Sequence, residues 1–170
     1  MRLLGLDPGL QRTGWGVIDV DGNLLRFCAA GVVVSPPGDA LATRLDAIYR
    51  ALQEVVAQHC PDAAAIEETV VNVNAGSSLK LGQARGVAML AAAHAGLPVS
   101  EYASKTVKRS VVGTGAAQKR QVAMMVRTLL PGSGQVTGDA ADALAVALCH
   151  AHHDATRRRL APVAAMPAGT

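Results

Sequence analysis

The sequence predicts an α/β domain built on a mixed five-stranded sheet with helices on both faces. Three observations lead there. Extended segments come first, at 2–7, 14–20 and 24–34, and the last two flank the turn signal Asp21-Gly22-Asn23. Two further short extended segments, 63–67 and 97–102, are each reached through a stretch of helical periodicity. The remainder is helical, so the order is β-β-β-α-β-α-β-α-α-α, a meander extended through helical crossovers.

Each element has a local cause. Residues 2–7 form an apolar run that stops on Asp7 before Pro8-Gly9. "SPPGD" at 35–39 breaks the extended pattern, and a helix follows over 40–59 with Leu41, Leu45, Ile48, Leu52, Val55 and Val56 on one face. "AAAIE" at 63–67 reads as a short buried strand ending on Glu67. Ser77 or Ser78 is the expected cap of a helix running to His94, with Gly96 as its stop. "SKTVKRSVV" and "AAQKRQVAMMVRTLL" are helices parted by "GTG", and "GDAADALAVALCHAH" is the final helix. The expected division is one domain over 1–154 and a loose, arginine-bearing tail over 155–170.

Composition narrows the function. No segment has the length and apolarity to span a membrane, and Asp7 interrupts the first apolar stretch too early for a signal peptide. The three cysteines are odd in number and lack CxxC spacing, which fits a reducing cytoplasm. Net charge is only +3, but from Lys80 to Arg127 eight cations face one acid, while residues 1–79 hold nine of the thirteen acids. One half suits a polyanion and the other holds candidate metal ligands.

Four acids stand at the ends of elements. Asp7 and Glu67 each finish a strand, and Asp139 and Asp142 share a face in the first turn of the last helix. Singly each has a plainer explanation: Asp before Pro-Gly starts turns, and acids are ordinary at helix N-termini. Gathered in one pocket, four carboxylates would repel one another unless hard divalent cations such as Mg²⁺ were present. Two such ions roughly 3.5–4 Å apart activate water and stabilise the leaving oxygen of a phosphodiester.

"GLDPGLQRTGWGVI", "AIEE", "SLKLGQARGVAMLAAA", "VKRSVVGTGAAQKRQVAMMVRTLL" and "DAADALAVALCHA" resemble, in order, the blocks of the RuvC family of bacterial Holliday junction resolvases. The resemblance covers about residues 2 to 153. It implies a ribonuclease H-like fold and a Mg²⁺-dependent endonuclease, with two ions per site, that acts as a homodimer on four-way DNA junctions. The nicks would leave 5′-phosphate and 3′-hydroxyl ends. The family's catalytic acids fall on Asp7, Glu67, Asp139 and Asp142, in the all-carboxylate version. Its DNA-binding lysines fall on Lys108 and Lys119, with Lys80, Arg85, Lys105, Arg109 and Arg120 as expected neighbours. Where the family carries an aromatic wedge after the catalytic Glu, this chain has Val70. Partnership with the RuvA–RuvB branch-migration complex follows from the resemblance alone. The helix at 78–94, with Leu79, Leu81, Ala84, Val87, Ala88 and Ala91, is the candidate dimer contact, unless that face simply packs on the sheet.

Other readings stay open at this stage. An actin-like or sugar-kinase-like ATPase also opens on a strand and a DxG turn, but it needs a second related domain, and no Walker A motif occurs in these 170 residues. A junction-binding structural protein without cleavage, or another ribonuclease H-like nuclease, shares the same motifs. His150, His152 and His153 fit an ordinary helix end better than a metal site, and Trp15 fits packing better than a base contact.

Overall fold

The computed structural model of the chain describes residues 1–68 and 74–160, with side chains through Arg157. Strand β1 (Arg2–Asp7) pairs antiparallel with β2 (Arg12–Asp21), which pairs antiparallel with β3 (Leu24–Val34). On its other side β1 pairs parallel with β4 (Ala63–Glu67), which pairs parallel with β5 (Val99–Tyr102). The sheet order is therefore β3-β2-β1-β4-β5, the expected mixed sheet. Gly22, in the left-handed region at φ +58°, turns β2 into β3.

Helices α1 (Leu41–His59) and α2 (Ala75–His94) cover one face. Helices α3 (Ser104–Val112), α4 (Lys119–Leu129) and α5 (Asp139–Leu160) cover the other. Because β1 is central, both of its faces are buried: Leu4 and Leu6 pack toward α1 and α2, and Leu3 packs toward α5. The same parity sends Ala64 and Ile66 of β4 to the first face, and Ala63 and Ala65 to the second.

Helix α5 is buried almost all round from Ala140 to Ala151, as expected of a helix lying between a sheet and two other helices. It approaches β1 and β2 at backbone-contact range. A Cβ on Gly5 would overlap the Ala143 carbonyl oxygen and stand 2.7 Å from the Ala147 nitrogen, and one on Gly16 would overlap Leu144. Gly5 and Gly16 are directly paired across the two strands, so together they form a smooth floor for the helix.

Three expectations need correction. Helix α2 begins earlier than either serine: Asn74 is its cap, and its side chain accepts a hydrogen bond from the Ser77 N–H at 3.1 Å. Helix α5 continues to Leu160 rather than ending at His152. On α2, Ala84, Ala88 and Ala91 are buried against the sheet, so the candidate dimer face as written mixes two sides of the helix. Its solvent side instead carries the exposed Leu79 and Leu90. Trp15 packs beside Gly31 and His59, in keeping with a structural role.

The tight seat of α5 has a measurable consequence. Gly5→Ala is expected to lower stability by about 1–3 kcal/mol through overpacking, read as a lower midpoint of urea unfolding. An unchanged midpoint would show that α5 has room to move off the strand.

Candidate active site

Alternation and strand register together bring the first two acids side by side. Leu3 and Ala63 face α5, so Asp7 and Glu67, an even number of residues further along β1 and β4, face it too. The strands are parallel with Leu6 opposite Ile66, which sets the next residues, Asp7 and Glu67, side by side at the strand ends. Asp7 is also paired with Gly14 of β2, and a Cβ on Gly14 would overlap the carbonyl of Asp139. The first turn of α5 therefore rests on bare backbone beside Asp7. Gly138, at φ +61°, begins that turn, and its carbonyl accepts from the N–H groups of Ala141 and Asp142, both at 3.0 Å.

The outcome is a cluster in which carboxylate oxygens of Asp7, Asp139 and Asp142 lie within 4.8 Å of one another. Glu67 stands in the wall of the same small cleft, about 110 Å³, with Asp7, Asp142, Ser104, Lys108 and Lys119. Burial, reinforced by the charges of Glu67 and Asp142, pushes the Asp7 carboxyl up to about 7. Burial also raises Glu67, against an opposing hydrogen bond from Ser104. Two cations offset part of this charge: Lys119 Nζ bonds Asp142 Oδ2 at 2.9 Å, and Arg12 Nε bonds Asp139 Oδ2 at 2.6 Å. The donors are all carboxylate oxygens brought close together in one small cleft, a set that fits a hard divalent cation such as Mg²⁺.

The sequence-predicted DNA contacts divide into groups. Lys108 and Lys119 line the cleft itself. Lys119 and Arg120, joined by Arg127, also line a broader open groove of about 610 Å³ along α4. Lys80, Lys105 and Arg109 are exposed. Arg85 is placed differently. Its Nε donates to the Glu67 carbonyl at 3.2 Å and its Nη2 binds the Glu101 carboxylate, so it ties α2 to the ends of β4 and β5. A guanidinium bonded to two strand ends from α2 acts as a brace, and the sequence could not reveal its acceptors because they lie on two other elements. Val70 falls outside the described residues. His150 is buried with its Nδ1 at 2.9 Å from the Tyr102 hydroxyl, and His152 shares a hydrogen bond with Ser110. Arg12 was missed because it lies in the acid-rich half of the chain. Its only sequence signal was a position five residues beyond Asp7, just past the Pro-Gly turn.

The elevated Asp7 carboxyl makes a pH-dependent prediction. Near its ordinary 3.8 the unfolded chain ionises first, whereas the folded protein holds the proton until about 7. The folded state then binds more protons, so stability of the metal-free protein declines as pH rises across that window. Asp7→Asn is expected to be more stable than the parent at about pH 8 in chelator, by at most about 4 kcal/mol, and so to melt at higher temperature, with the difference shrinking toward about pH 4. Equal melting at both pH values would show that ionised Asp7 carries no strain.

Comparison with known proteins agrees with this geometry. The family model described as "Crossover junction endodeoxyribonuclease RuvC" matches residues 3–150. A protein of that name from Paramagnetospirillum magneticum is 59% identical over 161 residues, 95% of this chain and 97% of its own. The one from Maricaulis maris is 59% identical over 153 residues, 90% of this chain and 92% of its own. Among solved structures, Thermus thermophilus RuvC in complex with Holliday junction substrate superposes with a TM-score of 0.85 at 34% identity, covering 92% of this chain and 96% of that one. The yeast mitochondrial Holliday junction resolvase Ydc2 shares the fold, with a TM-score of 0.69 at 12% identity over 93% of this chain and 80% of its own. The ribonuclease H-like α/β fold and the ordered motifs thus have one origin: the chain belongs to the RuvC family of crossover junction endodeoxyribonucleases.

Proposed function

We propose that this protein resolves four-way DNA junctions by paired symmetric Mg²⁺-dependent nicks, acting as a homodimer in recombination and repair. The observation that carries the reading is the Asp7–Asp139–Asp142 cluster opening beside a cleft and groove lined by Lys108, Lys119, Arg120 and Arg127. The acids suit the metal and the cations suit the phosphate backbone, and the two sets adjoin.

A bound divalent ion supplies Lewis acidity and a more acidic water for phosphodiester hydrolysis. Asp139 and Asp142 would hold it from the α5 side and Asp7 from the strand side. Asp7 also neighbours Glu67, so it is the residue suited to serve two ions. Lys108 and Lys119 stand close enough to the carboxylates to neutralise them and to hold a phosphate at the cleft. Lys80, Lys105, Arg109 and Arg120 are the outer candidates for backbone contact, which positions DNA without reading its sequence. Cooperation with RuvA–RuvB rests on family membership alone. A DNA substrate agrees with a cytoplasmic location, and no described helix is long and apolar enough to cross a membrane.

Dimerisation is supported by α2. Leu79, Gly82, Gly86 and Leu90 follow one helix face; Leu79 and Leu90 are 65% and 57% exposed, and added Cβ atoms on the two glycines would meet nothing. Such a face lets a second copy approach closely, and two-fold symmetry would present two equivalent clefts to a near-symmetric junction.

The test uses a synthetic mobile four-way junction and a linear duplex, with Mg²⁺ and then with chelator. Metal-dependent, paired nicks confined to the junction are expected; binding without any nicking would leave a structural junction-binding role instead. Asp7→Asn should abolish cleavage while junction binding persists. Lys108→Ala and Lys119→Ala should each weaken binding and flatten the log–log salt dependence by about 0.9; unchanged slopes would remove both from the interface. Leu79→Glu with Leu90→Glu should sediment as a monomer and lose paired nicking, and an intact dimer would place the interface elsewhere.

A further inference from the structure

Arg12 has a fixed backbone and a movable side chain. It opens β2 opposite Val34, directly after the turn that leaves Asp7. That turn is staked from within: the buried Thr13 hydroxyl donates to the Gly9 carbonyl at 2.8 Å, and the Ser35 N–H donates to the Gln11 carbonyl at 3.1 Å. The Arg12 side chain is 53% exposed, and among the described residues its one hydrogen-bond partner is Asp139. A guanidinium carries five N–H donors, and this bond engages Nε.

The partner is what makes the contact informative. Asp139 is one of the three acids whose oxygens converge within 4.8 Å, so the guanidinium is bonded to a carboxylate that a cation in that cluster would seek. An ion pair as exposed as this one is weak, whereas a divalent ion among three carboxylates is held by all of them at once. Metal binding at Asp139 therefore competes with Arg12. Once displaced, the guanidinium is a planar, permanently charged fork at the mouth of the carboxylate cluster, and such a fork matches two oxygens of a phosphate.

We propose that Arg12 is a phosphate-binding residue of the cleavage site that Asp139 holds in reserve until a divalent cation takes its place. This rests on the reading of the carboxylate cluster as a metal site and of DNA as the substrate. It adds a thermodynamic consequence to that reading: metal and DNA help each other bind, and part of that coupling passes through one side chain. By linkage the effect is reciprocal.

The experiment compares the full-length parent, Arg12→Gln and Arg12→Lys, with Lys108→Ala as a reference whose cation is not bonded to the cluster. Affinity for a synthetic four-way junction is measured by fluorescence anisotropy in chelator and in Ca²⁺, a hard ion with the same taste for carboxylate oxygens. Ca²⁺ affinity without DNA is measured by calorimetry. Arg12→Gln is expected to weaken junction binding about three- to tenfold in Ca²⁺, to change it less than about twofold in chelator, and to reduce the salt slope by about 0.9 in Ca²⁺ only. It should also bind Ca²⁺ alone more tightly, because a competitor for Asp139 is gone. Arg12→Lys keeps the charge without the fork and should fall between parent and Gln, while Lys108→Ala should weaken binding in both buffers.

An equal loss for Arg12→Gln in both buffers would make Arg12 an ordinary backbone contact and overturn the reserve mechanism. So would unchanged junction affinity in Ca²⁺, which would leave Arg12 as no more than a support for Asp139. If the parent and every variant bound the junction no better than linear duplex, the functional reading itself would fall, and the proposal with it.

Discussion

The structure depends on how closely one helix lies against two strands. Helix α5 meets β1 and β2 backbone to backbone at Gly5 and Gly14, and its Leu144 side chain lies directly on Gly16. This seat sets the height of the first turn of α5 above the end of β1, and so sets whether Asp139 and Asp142 reach Asp7. The apolar surface of α5 between Ala140 and Ala151, buried on all sides, provides the attraction; the glycines determine the distance at which it stops. Fold and site are thus held by the same contact.

Placing acids there opposes stability. Three carboxylates lie within 4.8 Å, with a fourth in the same cleft wall; burial first, and neighbouring acids second, raise Asp7 and Glu67. In the metal-free protein the opposition is met by Arg12 and Lys119, each bonded to one acid of α5. Both cations are more than half exposed, and exposed pairs contribute little and exchange readily. The arrangement is strained in the manner of functional sites, where local rules are broken and the surrounding packing compensates. Arg85 carries a different duty, holding the Glu67 carbonyl and Glu101 so that the end of β4 keeps its position between α2 and β5.

Most elements were legible because their causes are local. The Asp-Gly-Asn turn, the apolar run of β1 and the periodicity of α1 all act within a few residues. Where local cues competed, the sequence was ambiguous. Asn74 and the two serines are all good helix caps, and only the path of the chain selected Asn74. No Gly or Pro follows Asp139 until Pro162, so the sequence did not mark where α5 ends. The cations were the least legible group, since charge says nothing of what a side chain meets: Arg85 reads like Lys108 in sequence but is already bonded, and Arg12 was hidden among acids.

The sequence by itself determined that Asp7 and Glu67 each close an apolar strand, whereas the shared sheet face came from how the two strands pair and pack. It likewise determined that Asp139 and Asp142 share a helix face, and it carried the ordered family motifs. The tertiary structure decided that these two pairs meet, and which cation stands against which acid. Such proximity joins residues more than a hundred positions apart. It arises from helix-on-glycine packing, a contact that neither periodicity nor composition encodes.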